Sequence, residues 1–411
     1  MAVIRPFRAV RPAAAVAHLV ASVPYDVVNR EEAAELAKDN PINFLRVTRS
    51  EIELTKKTDP YSDIVYQKAK ENFRRIKEEA PLIQEEKPCF YVYRLKWGEH
   101  VQTGIAATFS TEDYDNDVIL KHEKTRRVKE DDRTNHIITT EAQTGAVFLT
   151  YRGVAEINDV VGKTVSGTEP IYNFEAGDGV EHSIWIIEPD YADVIQFEMG
   201  KVKNLYIADG HHRAASASRA QKVMKQNNIG HTGGEEYNFF LAVLFPADQL
   251  KILPYNRVVY DLKGIDGEQF ISLISKYFHV YDTQIPLPPG KGKICMYVDS
   301  KWHMISPNEN VVRGETYGDK LDVSLLQQFV LKPFLDIEDP RTDENIDFIG
   351  GIRGTKELEK LVDSGKAAVA FSMYPVDVED LMKISDAGET MPPKSTWFEP
   401  KLRDGLLVHV I

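Results

Sequence analysis

Apolar residues recur along this chain with two periods, and the switch from one to the other marks its elements. Val65, Ala69, Phe73 and Ile76 share one face at helical spacing, so a long helix is expected there, opened by the Asp59-Pro60 pair. Asn29 and Glu32 have the spacing of a capping box and predict a shorter helix to about Lys38, stopped by Asn40-Pro41. The β-rich runs Cys89 to Lys96 and Val101 to Phe109 flank Trp97-Gly98-Glu99-His100 and read as a hairpin. Ala146 to Tyr151 and Ser183 to Glu188 read as strands, with a turn at Gly177-Asp178-Gly179. Leu205 to Ala208 is a compact apolar strand broken at Asp209-Gly210, and an alanine-rich helical stretch follows from His211 to about Gln226.

Tyr237 to Phe245 and Tyr255 to Leu262 read as strands, and Lys263-Gly264 is taken as a domain seam. Beyond it come a helix at Phe270 to Tyr277, a hairpin of Lys293 to Val298 with Trp302 to Ile305, a helix at Leu321 to Leu331 and a strand at Ala367 to Met373. The expected fold class is therefore α+β, with a mixed-sheet core in residues 1–262 and an additional α+β region in 263–411. One stretch follows neither period. Lys121 to Arg133 reads KHEKTRRVKEDDR, too poor in apolar residues to bury itself and too mixed in sign to be a repelling tail, so its charges call for partners or a ligand.

With 411 residues the chain exceeds what one compact core usually takes, which supports the two-part reading. A net charge of −13 opposes the phosphate attraction behind most nucleic-acid binding, so no nucleic-acid partner is expected. A local basic cluster still suffices for a small phosphorylated ligand. The only cysteines, Cys89 and Cys295, build neither a cysteine-based zinc site nor a disulfide framework, which fits a cytoplasmic location. Ala13 to Val23 superficially imitates a secretory signal, but His18 interrupts it and Pro24-Tyr25-Asp26 makes a poor cleavage site, so it is read as mature sequence. No run approaches the roughly 20 apolar residues of a membrane span.

The chemistry concentrates at Asp209-Gly210-His211-His212-Arg213, where a strand hands over to a helix N-terminus. Backbone N–H groups and the positive end of the helix dipole converge there, and glycine allows close approach. Arg213 adds a planar donor fork, and His211 and His212 add donors that act near neutral pH. The bland alternative is that the histidines cap the helix and Arg213 pairs with a carboxylate. A transition-metal site is the third reading, weakened because adjacent helical histidines point apart. Gly350-Gly351-Ile352-Arg353-Gly354 reads either as a second anion-binding turn or as an ordinary tight loop. Lys394-Ser395-Thr396 after Pro392-Pro393 offers a further lysine to a phosphate, but no Walker glycines precede it, and no nucleophile elbow occurs anywhere.

The DGHHRAASA segment resembles the phosphate-binding motif of the ParB/sulfiredoxin-like superfamily. VPYDVV at Val23 to Val28, KHEKT at Lys121 to Thr125, KEDDR at Lys129 to Arg133, LPYNRVV at Leu253 to Val259, DPRTDENIDFIGGIRG at Asp339 to Gly354 and MPPKSTWFEPKL at Met391 to Leu402 resemble a bacterial and archaeal family of unassigned function that is similar to the free serine kinases. The resemblance implies a ParB/sulfiredoxin-like nucleotide-binding core and a kinase that phosphorylates a small hydroxyl compound, such as free L-serine, from ATP or ADP. Phosphoryl transfer needs held phosphate, neutralised charge and an oriented hydroxyl. Asp209, Gly210, His211, His212 and Arg213, with Lys124, Thr125, Lys129, Arg133 and Lys394, are the expected phosphate and nucleotide ligands. Glu123 is the favoured base, Asp26 the runner-up and His122 a further catalytic candidate. Asp131 or Asp132 would hold Mg2+. The expected partners are a nucleotide and a small-molecule substrate, with a homodimer allowed; a nucleotide-binding switch and a phosphoester hydrolase are the alternatives.

Overall fold

The computed structural model describes residues 1–80 and 82–411. Two compact units divide the chain: 1–121, 125–250 and 400–411 form the first, and 122–124 with 251–399 form the second. The turn at Lys263-Gly264, where both residues are left-handed, lies inside the second unit. No helix is long and apolar enough to cross a membrane among the described residues.

The first unit is built on a nine-stranded mixed sheet. Its order runs Ile119–Leu120, Leu205–Asp209, Val147–Tyr151, Phe239–Pro246, His100–Ser110, Tyr91–Trp97, Val180–Ile186 and Tyr172–Glu175, with Ile4–Arg5 added against His100–Ser110. The predicted hairpin is present: Trp97 pairs with His100 across Gly98-Glu99, and Gly98 supplies the left-handed residue so tight a connection requires. The centre of the sheet reads as continuous apolar runs because helices cover it, and Leu205, Tyr206 and Ile207 are wholly buried. Leu149, Ile207, Leu244 and Ala214 meet in one core cluster.

The Asn29 capping box forms with both of its hydrogen bonds, and the helix runs Arg30–Leu36. The long helix spans Asp63–Glu79 and buries Val65, Ala69, Phe73 and Ile76 as its spacing requires. Its cap position is Ser62 rather than Asp59. The Asp59 carboxylate instead accepts the Tyr61 N–H at 3.0 Å, closing a turn before the helix begins. The charged block yields a helix that periodicity does not reveal, Arg127–Thr140, whose buried face is mostly polar: Asp132, Thr134, His136, Ile137 and Thr140. It docks on the His211–Asn227 helix through Arg219, which pairs with Glu130 at 3.1 Å and with Asp131, and through Ser216, whose hydroxyl donates to the Glu130 carbonyl.

The segment Pro400–Ile411 completes the first unit. Ser22 and Asp404 exchange backbone hydrogen bonds, and His409 pairs with Gln143. The second unit holds a six-stranded, wholly antiparallel sheet ordered Phe278–Thr283, Lys301–Pro307, Ile294–Val298, Val369–Ser372, Tyr255–Val259 and Ile346–Gly350. The glycine turn after it is a packing device: a side chain on Gly350 would meet the Trp397 ring at 2.7 Å, and one on Gly351 the Pro254 carbonyl at 2.6 Å.

Candidate functional site

The Leu205–Asp209 strand does not end in register. Ile207 pairs with Leu149 but Asp209 with Phe148, so Ala208 bulges out and re-aims the last residue. Gly210 follows with φ +92°, in the left-handed region, and the helix from His211 starts there with no side-chain cap. The amides of its first turn therefore have no acceptor supplied by a capping side chain, and seventeen residues of aligned peptides stand behind them.

Arg213 turns inward. Its Nη1 donates to the Ala146 carbonyl and its Nη2 to Asp209 Oδ2 at 3.0 Å, while its guanidinium folds against Gly210, where a Cβ would lie 3.0 Å from Nε. Both Nη atoms of the fork offered to a phosphate by the sequence are thus taken by protein acceptors. The charge still acts on the turn by position. Lys401 approaches the other Asp209 oxygen at 3.4 Å. Burial works against the Asp209 anion, but Lys401 and then Arg213 outweigh it and hold this carboxyl well below the usual range.

Behind Arg213 lies a cavity of about 30 Å³ whose lining includes Tyr25, Thr48, Arg133, Thr144 and Asp404. Asp404 is 2% exposed, and neither of its oxygens has a hydrogen-bond partner among the described residues. Burial pushes its carboxyl up to about 7; Arg213, then Arg133 and Arg403, pull down and Asp26 pushes up. Gly145 makes the room for it, since a Cβ there would stand 2.5 Å from Asp404 Oδ1. Gly145→Ala is accordingly expected to cost about 1–3 kcal/mol in urea unfolding through forced displacement of that carboxyl. A loss below about 0.5 kcal/mol would show that the carboxyl moves freely.

The remaining sequence candidates fall in several places. Arg133 is in the cavity wall, hydrogen-bonded to Asp132 at 3.1 Å and 4.3 Å from the Tyr25 ring centroid. Asp26 is exposed, and its charge acts on both Arg213 and Asp404. His212 Nε2 accepts the Arg126 N–H at 3.1 Å, and His211 is buried at the helix start. Thr125 bonds Glu130, and Lys129 stands 5.4 Å from the Tyr61 ring centroid.

Each of the two Mg2+ candidates, Asp131 and Asp132, has arginine partners in the structure. Asp131 is paired with Arg127 and Arg219, and Asp132 with Arg133 and the Tyr66 hydroxyl, so arginines already neutralise both carboxylates. In the second unit, Glu123 and Lys124 line a cavity of about 690 Å³ with Asp319, Asp339, Arg341 and Glu389, and the buried His122 accepts the Met391 N–H through its carbonyl. Lys394 stands 5.3 Å from the Tyr255 ring centroid in that unit, and its carbonyl accepts from the buried Arg257. The residues that sequence reasoning missed are Lys401 and Asp404. Lys401 lies inside and Asp404 beyond the Met391–Leu402 motif, in which Lys394 alone was given a role, and nothing local to them signals proximity to Arg213.

A family model whose description is "Protein of unknown function (DUF1015)" matches residues 4–324. The chain belongs to this family. No curated protein matches the sequence. Among solved structures, this DUF1015 chain is similar to a free serine kinase in complex with AMP, at 12% identity and a TM-score of 0.37 over 74% of this chain and 91% of that one. It is also similar to a conserved hypothetical protein from Pyrococcus furiosus, at 14% identity and 0.35 over 75% and 95%. SbnI with a C-terminal truncation from Staphylococcus aureus matches at 12% identity and 0.38 over 74% and 87%. Likeness this distant transfers neither a ligand nor a reaction.

Proposed function

We propose that the first unit, as a ParB/sulfiredoxin-like core, binds the phosphates of ATP or ADP at the Gly210–Arg213 turn and transfers a phosphoryl group to a small hydroxyl compound. The observation that carries this reading is the helix that begins at left-handed Gly210 without a side-chain cap, next to the buried charge of Arg213 and the part-buried charge of Lys401. Such an end presents directed N–H groups and a positive field to an anion, and phosphoryl transfer asks a protein chiefly for positioning and charge stabilisation. The inward Arg213 contributes field and rigidity to the turn. Free L-serine is the first acceptor to test, since the sequence motifs resemble those of the free serine kinases.

The test is to incubate the purified protein with ATP or ADP, Mg2+ and L-serine, and to look for O-phosphoserine; other amino acids and sugars serve as further acceptors. Acceptor-dependent consumption of nucleotide is expected. Release of inorganic phosphate without an acceptor would replace the kinase with a hydrolase, and tight binding without turnover would leave a nucleotide switch.

A further inference from the structure

We propose that Asp404 is the proton-accepting residue of this site and takes the proton of the acceptor hydroxyl through water held in the cavity it shares with Arg213 and Arg133. This role rests on the kinase reading above. Four polar atoms around that cavity have no hydrogen-bond partner among the described residues: both oxygens of Asp404, Nε of Arg213 and Oγ1 of Thr48. Buried polar atoms in folded proteins are almost always satisfied, and one left over points to a bound water or a working group. A cavity of about 30 Å³ has room for a water, and these atoms give it polar partners.

The neighbouring carboxylates Asp209 and Asp132 are poor rivals. Asp209 is held ionised by Lys401 and Arg213, and Asp132 accepts from Arg133 and Tyr66. Held so strongly as the anion, Asp209 is a weak base, whereas Asp132 has its oxygens engaged by those donors. Asp404 receives no hydrogen bond, so its proton affinity is set by burial against the charges that face it. Those are Arg213 on the His211 helix, Arg133 on the Arg127 helix, Asp26 on the N-terminal segment, and the neighbouring Arg403. Tyr25 and His136 complete the wall without competing near neutral pH: burial raises the first and strongly lowers the second.

The step balances. The acceptor O–H bond breaks and its proton passes through the water to Asp404. The freed oxygen pair bonds the terminal phosphorus of the nucleoside polyphosphate, and the P–O bond to the leaving nucleotide breaks, its electron pair staying on that nucleotide. Asp404 later returns the proton to solvent.

The experiment pairs Asp404→Asn with wild type. Calorimetry with ADP as the probe and turnover of ATP with the accepted hydroxyl substrate are measured from pH 5.5 to 9, a window of about 1.5 units or more either side of the carboxyl. The expected result is ADP affinity within about threefold of wild type, kcat lower by about 100-fold, and loss of the acid limb that wild type shows below about pH 7. Infrared difference spectra of the wild type alone should show a buried carboxylic-acid carbonyl band lost with a midpoint near 7, which covers the case of a variant that fails to fold. A variant with wild-type kcat and an unchanged acid limb overturns the role while leaving the phosphate site intact. Wild type that does not bind ADP removes the kinase reading, and this role with it.

Discussion

Arg213→Ala is expected to destabilise the first unit by about 3–5 kcal/mol in urea unfolding, because removing one partner of a buried charge pair leaves the other uncompensated. Asp209 would lose its arginine and rest on Lys401 at 3.4 Å and the field of His211, and the Ala146 carbonyl would lose the Arg213 donor. Asp26, Asp209 and Asp404 raise the arginine's own proton affinity even though burial works against it, so the substitution removes a charge that all three favour. A loss below about 1 kcal/mol would mean that Arg213 is dispensable to the turn and that the helix start holds itself. ADP binding should fall with the turn, since the first-turn amides depend on Gly210 staying folded against this guanidinium.

Asp404→Asn should act in the opposite direction, and only in part of the pH range. The folded carboxyl sits near 7, above the usual value of about 4, so the folded state holds its proton more tightly than the unfolded chain does. The stabilisation this gives is complete below about pH 4 and is lost as pH rises through 7. Relative to wild type, the asparagine variant should therefore be more stable by about 4 kcal/mol at pH 8 and by only about 1.4 kcal/mol at pH 5, with parity below about pH 4. Thermal unfolding at the two pH values reads this directly. An equal difference at both would show that Asp404 does not titrate between them. A residue whose removal stabilises the fold fits a group retained for function.

How far the sequence reaches follows from which interactions are local. The capping box at Asn29 and Glu32, the stripe Val65, Ala69, Phe73 and Ile76, and the two-residue hairpin at Gly98-Glu99 depend on neighbours within a turn or two, and all three form. The strand-turn-helix at Asp209-Gly210 was legible for the same reason. The helix Arg127–Thr140 was not, because its buried positions are mostly polar and are satisfied by residues outside the helix, such as Tyr66 and Thr144, that helical spacing does not reveal. Asp404 was hidden for a related reason. It is buried by pairing with Ser22 and by the space that Gly145 leaves, contacts spanning hundreds of positions that no local pattern encodes. The inward turn of Arg213 is fixed by its contacts with the Ala146 carbonyl and Asp209, and the bulge at Ala208 is a feature that period-2 alternation does not reveal.

The most direct test of the phosphate site is an ADP titration of isotopically labelled protein followed by amide resonances. The amides of His211, His212 and Arg213 should shift together and saturate with a single affinity, with those on the Lys301–Pro307 strand of the second unit unchanged. Saturable ADP binding that leaves these three amides unmoved, or no binding at all, would contradict the account.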